Sequence, residues 1–107
     1  MKLGIILNTN DPETAWNAFR LGVVALDEKH SVKLFLLGKG VECENIKGTK
    51  FDVQKMINAF KKRNGELLAC GTCQKIRGEE ESAICPISSM EDLLKLFEES
   101  DKVISLG

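Results

Sequence analysis

Apolar residues along the chain fall into two alternating kinds of segment: short continuous runs, and stretches in which they recur every three or four positions. The first run is Lys2 to Leu7, in which Ile5, Ile6 and Leu7 favour a strand. Asn8-Thr9-Asn10-Asp11-Pro12 breaks it, with Asp11 suited to a helix N-cap and Pro12 to the first helical turn. A helix is predicted from about Pro12 to Lys29, because Trp16, Phe19, Val23 and Leu26 share one face. Ala15, Ala18, Gly22 and Ala25 form a second ridge, whose small residues suit close packing in the core first and a subunit contact second. Val32 to Leu37 is a second run, interrupted only by Lys33, and Gly38-Lys39-Gly40 ends it in a turn. Runs that are apolar on both faces suit buried parallel strands.

The second half repeats the alternation. Val53, Met56, Ile57 and Phe60 predict a helix over Asp52 to Arg63, opened by a Thr49/Asp52 capping box and stopped by Asn64-Gly65. Glu66 to Ala69 reads as a third strand and Cys70 to Arg77 as a short helix closed by Gly78. Ser82 to Ile87 holds a fourth strand, ended near Pro86. Ser88 to Ser100 is a helix with a Ser88-x-x-Glu91 box and with Met90, Leu93, Leu94 and Phe97 on one face. Lys102 to Leu106 is the last strand. The alternation predicts βαβ units, hence a three-layer α/β/α fold on a mainly parallel sheet of about five strands. With 107 residues the chain makes one domain, 1–107, since single domains commonly run to about 100–150 residues.

Composition narrows the function. Fifteen Lys and Arg against sixteen Asp and Glu give a net charge of -1, which argues against direct nucleic-acid binding. One Trp, five Phe and no Tyr make a poor base-stacking platform. No apolar run approaches the roughly 20 residues that span a bilayer, and Met1 to Leu7 is too short for a signal core, so no membrane role and a cytoplasmic location are expected. Four Cys fall well short of the roughly 8–10% of a disulfide scaffold, so in a reducing compartment they are thiols.

Reactive residues of open parallel sheets collect at the carboxyl ends of strands, where three loops qualify: Asn8 to Asp11, Gly38 to Glu44, and Cys70 to Cys73. In the third, Cys70-Gly71-Thr72-Cys73 follows a strand and opens a helix. Backbone N–H groups at such a turn favour thiolate over thiol, and Lys75 and Arg77 act in the same direction where they face it. Thiolate is the nucleophile of disulfide exchange and sulfur transfer. Cys73 is one turn from Cys70 and can resolve a mixed disulfide or a persulfide. A thioredoxin-like dithiol stays open as an alternative, as does a small-ligand site at the strand ends involving Asn8, Asp11, Gly38, Gly71 and Thr72. Zinc is disfavoured, because Cys43 and Cys85 are singletons beside one close pair. Gly38-Lys39-Gly40 lacks the third glycine of a dinucleotide loop, and the single His30 supports no Ser-His-Asp triad. No metal or other cofactor is expected.

The stretch Leu67-Leu68-Ala69-Cys70-Gly71-Thr72-Cys73-Gln74-Lys75-Ile76-Arg77-Gly78 resembles the cysteine segment of the DsrE/DsrF-like family. The opening strand followed by Asn10-Asp11-Pro12-Glu13 and an Ala-rich helix agrees, as do the Ser89-Met90-Glu91-Asp92-Leu93 helix start and the terminal strand. The resemblance implies a small cytoplasmic α/β protein with a five-stranded parallel sheet, of the kind that acts in sulfur relays. Several members carry a persulfide on one cysteine towards tRNA thiolation or sulfur oxidation, between sulfur donor and acceptor proteins. Their carrier cysteine is followed eight residues on by a Gly preceded by Arg, the spacing of Cys70, Arg77 and Gly78 here. The resemblance thus implies the carrier role for Cys70, and a homo-oligomer, trimer or hexamer. Cys73 has no equivalent in the relay subunits and marks a C-G-T-C branch.

Overall fold

A computed structural model describes residues 1–48, 50–76 and 87–107, with only the backbone of Ile87. Its strands are β1 (Lys2–Leu7), β2 (Ser31–Leu36), β3 (Glu66–Cys70), β4 (Ile87–Ser88) and β5 (Lys102–Leu106). Its helices are α1 (Pro12–Asp27), α2 (Val53–Lys62), α3 (Gly71–Ile76) and α4 (Met90–Glu99), and a 3-10 segment covers Gly38–Asn45. The strands form one sheet in the order β4-β3-β2-β1-β5, every pair parallel. Four strands have five or six residues, and β4 is a two-residue edge. The α/β fold with a parallel sheet is therefore as the alternation predicts, and the ends of most elements shift by a residue or two; the fourth strand, predicted over Ser82 to Ile87, is described only at Ile87–Ser88.

The chain steps outward from β1 through β2 and β3 to β4, then crosses back to place β5 on the far side of β1. Side chains alternate across each strand, so Leu3, Ile5 and Leu7 lie on one face and Gly4 and Ile6 on the other. Val32, the register partner of Leu3, is on the face that α1 and α2 cover, where Phe19 and Phe60 meet edge to face at 5.7 Å. On the opposite face, Gly4 leaves the space that Leu96 of α4 fills, and Lys33 reaches Glu99 of α4 at 2.8 Å. These two faces with their helices make three layers.

Three details depart from the periodicity. In α1 the small ridge is the buried side: Ala15, Ala18, Gly22 and Ala25 are all covered within the chain, with Phe19, while Trp16, Val23 and Leu26 are half-buried flanks. The ridge is therefore core. The α4 cap is Ser89, not Ser88, and its box partner is Asp92, not Glu91. Ser88 belongs to β4 instead. Most of the apolar stripe of α4 is not core either. Leu96 is fully buried and Leu93 partly so, while Met90, Leu94 and Phe97 are 54%, 59% and 49% exposed. The sheet selects Leu96 because Gly4 beneath it has no side chain. At α2 the cap is Asp52, which accepts the N–H of Lys55, and Thr49 lies outside the described residues. The predicted strand segment 82–86, with Arg77, Gly78 and Cys85, also lies outside them.

Candidate functional site

The carboxyl ends of β1, β2, β3 and β5 are joined by main-chain hydrogen bonds. Asn8 N–H donates to Leu106 O and Leu37 N–H to Leu7 O, which carries the two connecting loops side by side. The 3-10 segment then turns tightly over the end of β1, so close that a Cβ on Gly40 would collide with Leu7 O. Gly38, with φ +57°, occupies the left-handed region that glycine enters without strain, and its Cα stands against the Asn8 carboxamide.

This turn aims the Gly38 N–H at the cysteine loop. It donates to Cys73 Sγ at 3.3 Å. Cys73 N–H in turn donates to Cys70 Sγ at 3.4 Å, so Cys70 occupies the position of an N-cap, with sulfur in place of a side-chain oxygen. Each sulfur thus accepts from a main-chain donor, the arrangement that stabilises negative charge as it develops on sulfur. Neither is joined in a disulfide. They differ in access: Cys70 is 3% exposed and belongs to the core, whereas Cys73 is only half-buried.

The neighbours of Cys70 follow from register. It pairs with Ser88, a buried polar residue of β4, so the two side chains leave the sheet on the same face. That is the face of Glu66 and Lys33, on which α4 lies. Gln74, next after Cys73, is 2% exposed, and its Oε1 has no hydrogen-bond partner among the described residues. Neither Ser88 nor Gln74 stands out in the sequence, where one reads as a helix cap and the other as a surface residue of a short helix. The only signal was position: Gln74 directly follows the C-x-x-C.

The residues singled out in the sequence divide as follows. Cys70, Cys73, Gly38 and Asn8 converge. Gly71 is half-buried, and Thr72 and Lys75 are exposed on α3 beside them. Arg77 lies outside the described residues. Asp11 caps α1: its carboxylate accepts from Thr14 N at 2.9 Å and Thr14 Oγ1 at 2.8 Å, which holds its pKa below the ordinary value. That carboxylate is thereby engaged in the helix cap. Cys43 is buried in the core within the 3-10 segment. His30 Nδ1 meets the N-terminal amine at 2.8 Å.

Over residues 1–106 the sequence matches the model of the DsrE/DsrF-like family. The chain belongs to that family. It is similar to an uncharacterized protein of Methanopyrus kandleri, 34% identical over 98 residues that make up 86% of this chain and 81% of that one. An uncharacterized protein of Methanocaldococcus jannaschii is 32% identical over 98% of this chain and 99% of its own length. The fold matches a solved conserved protein of unknown function from Bacteroides thetaiotaomicron, with a TM-score of 0.76 and 19% identity over 97% of this chain and 93% of that one. Among the described residues of this DsrE/DsrF-like chain, no helix is long and apolar enough to cross a membrane.

Proposed function

We propose that this DsrE/DsrF-like protein is a cytoplasmic sulfur carrier that holds sulfane sulfur as a persulfide on Cys70, with Cys73 as a second, exchanging thiol. The observation that carries this reading is the pair of linked contacts, Gly38 N–H to Cys73 Sγ and Cys73 N–H to Cys70 Sγ. A persulfide transfer moves one sulfur between two sulfur atoms, and each of the two sulfurs here has a main-chain donor in place. Burial of Cys70 keeps the outer sulfur from adventitious thiols, which is what a carrier needs. Membership of the family supports the same reading. Donor and acceptor are proteins bearing reactive thiols, and the working form is a homo-oligomer, trimer or hexamer, built on the exposed apolar flank of α4.

The test is intact-protein mass after incubation with inorganic polysulfide followed by desalting. Wild type should retain one extra sulfur, mapped to Cys70, and Cys70→Ser should retain less than about a tenth as much. Equal retention in Cys70→Ser overturns the assignment. A second reading, a dithiol redox protein, draws on the same one-turn spacing of the two sulfurs. It predicts a Cys70–Cys73 disulfide under mild oxidant that exchanges in the cytoplasmic range of potentials.

A further inference from the structure

The two cysteines are unequal in a way the motif does not reveal. Cys70 ends a strand inside the core at 3% exposure, and Cys73 lies on the first turn of α3, half-buried, with exposed Thr72 before it and buried Gln74 after it. The thiol of a residue that is 3% exposed cannot present its sulfur in line with the S–S bond of a protein-borne persulfide without the chain opening. Resting on the carrier reading, we propose that Cys73 is the thiol that meets the donor, and that sulfur reaches Cys70 only through it.

Two exchanges suffice. In the first, the Cys73 thiolate attacks the outer sulfur of the donor persulfide R–S–SH. The donor S–S bond breaks, a new S–S bond forms, and R–S⁻ leaves, giving Cys73–S–SH. In the second, the Cys70 thiolate attacks the outer sulfur on Cys73, giving Cys70–S–SH and a Cys73 thiolate; the proton released by Cys70 is available to Cys73. One S–S bond replaces another at each step, so no oxidant or reductant is consumed.

The hydrogen bonds match this order. In the second exchange the leaving group is Cys73 Sγ, the atom towards which Gly38 N–H points at 3.3 Å. A donor on a leaving thiolate lowers the barrier to its departure. The arriving nucleophile, Cys70 Sγ, is held by the Cys73 N–H at 3.4 Å, which fixes it next to the residue that delivers the sulfur. Release to an acceptor runs the same two steps backwards.

Persulfidated serum albumin, too large to enter the protein, serves as the donor, with inorganic polysulfide as the small one. Site-resolved mass spectrometry follows the initial rate of sulfur gain. Cys73→Ser should gain sulfur on Cys70 from albumin persulfide at least tenfold more slowly than wild type, and should recover a larger share of the rate with polysulfide. Cys70→Ser should accept sulfur on Cys73 at the wild-type initial rate but fail to hold it through desalting. Wild-type rates in a folded Cys73→Ser overturn the proposal. Alkylation of the unmodified wild type by a bulky maleimide gives an independent reading, since Cys73 should react first. If Cys70 reacts first, the proposal is overturned even where folding of a variant is in question. If wild type takes sulfur on neither cysteine, the carrier reading fails, and the alkylation order still decides which thiol faces the solvent.

Discussion

Gln74 is the residue whose presence is hardest to explain by stability. A buried acceptor without a donor carries a desolvation cost of about 1–3 kcal/mol, and among the described residues Oε1 of Gln74 meets no donor. Methionine has nearly the same length and shape without the amide. Gln74→Met should therefore raise Tm, by about 4 °C for each kcal/mol recovered in a domain of this size, as read by thermal denaturation followed by circular dichroism. An unchanged or lowered Tm would mean that the oxygen finds a donor in solution. Because Gln74 directly follows Cys73, the same variant should be assayed for sulfur retention. Sequence reasoning does not find this residue, since a glutamine in a short helix is ordinarily a surface side chain. Ser88 was hidden in a similar way: two serines stand side by side, and both positions satisfy a capping pattern. Only the pairing of Cys70 with Ser88 in the sheet decides which serine is strand and which is cap.

At the scale of elements, three carboxylates tie the helices to their surroundings. Asp11 closes the N-terminus of α1 through Thr14, and Asp92 closes that of α4 by accepting from the backbone and hydroxyl of Ser89. Glu99 at the end of α4 accepts from Lys33. All three are held below their ordinary pKa, in each case first by a hydrogen bond to the charged form. A group whose pKa is depressed by folding adds stability above its unfolded value, and that stability is lost as pH falls through the folded value. The urea midpoint should therefore be level down to about pH 5 and fall as the pH drops through 4 and below. Glu99→Gln should shrink that fall; an equally steep drop in the variant would show that the Lys33 contact adds nothing. Lys33 has the opposite sign, its pKa being raised by Glu99 first, so its contribution is present at neutral pH and disappears only in strong alkali. The elements themselves were legible: Ile5-Ile6-Leu7 and Val32 to Leu37 read as strands, and the 3.6-residue period located α1, α2 and α4. What periodicity could not supply was the side of α4 that meets the sheet. Met90, Leu93, Leu94 and Phe97 make the longer stripe, yet the sheet takes Leu96, because Gly4 of a strand 92 positions away provides its space. The site shows the same limit. The C-x-x-C after a strand could be read directly, whereas the contact of Gly38 with Cys73 depends on a parallel pairing of β2 with β3 that no local pattern encodes.

The exposed side of α4 matters most for the whole molecule. Leu96 points down onto β1 and Glu99 reaches towards β2, so the turn of the helix carries Met90 and Phe97 to the β5 side, with Leu94 outward. Beside them runs β5, an edge strand among the described residues, with Val103 and Ile104 exposed. By register Val103 pairs with Gly4, so it lies on the same face as α4. An apolar helix flank continuous with an apolar edge strand is the kind of surface that marks an interface. Further copies of the chain would cover both halves at once: a contact that sets the helix flank of one subunit on a different patch of the next, repeated about a three-fold axis, closes a trimer. The small-residue ridge of α1, buried within the chain, contributes nothing to such a contact. Replacing Leu94 and Phe97 together by Glu should reduce the mass in light scattering from that of an oligomer to that of a single chain. Because both side chains are about half exposed, Tm should change little and Cys70 should still retain sulfur. A wild-type mass that is not a multiple of three chains would exclude the trimer and hexamer, and an unchanged mass in the double variant would show that the subunits meet elsewhere.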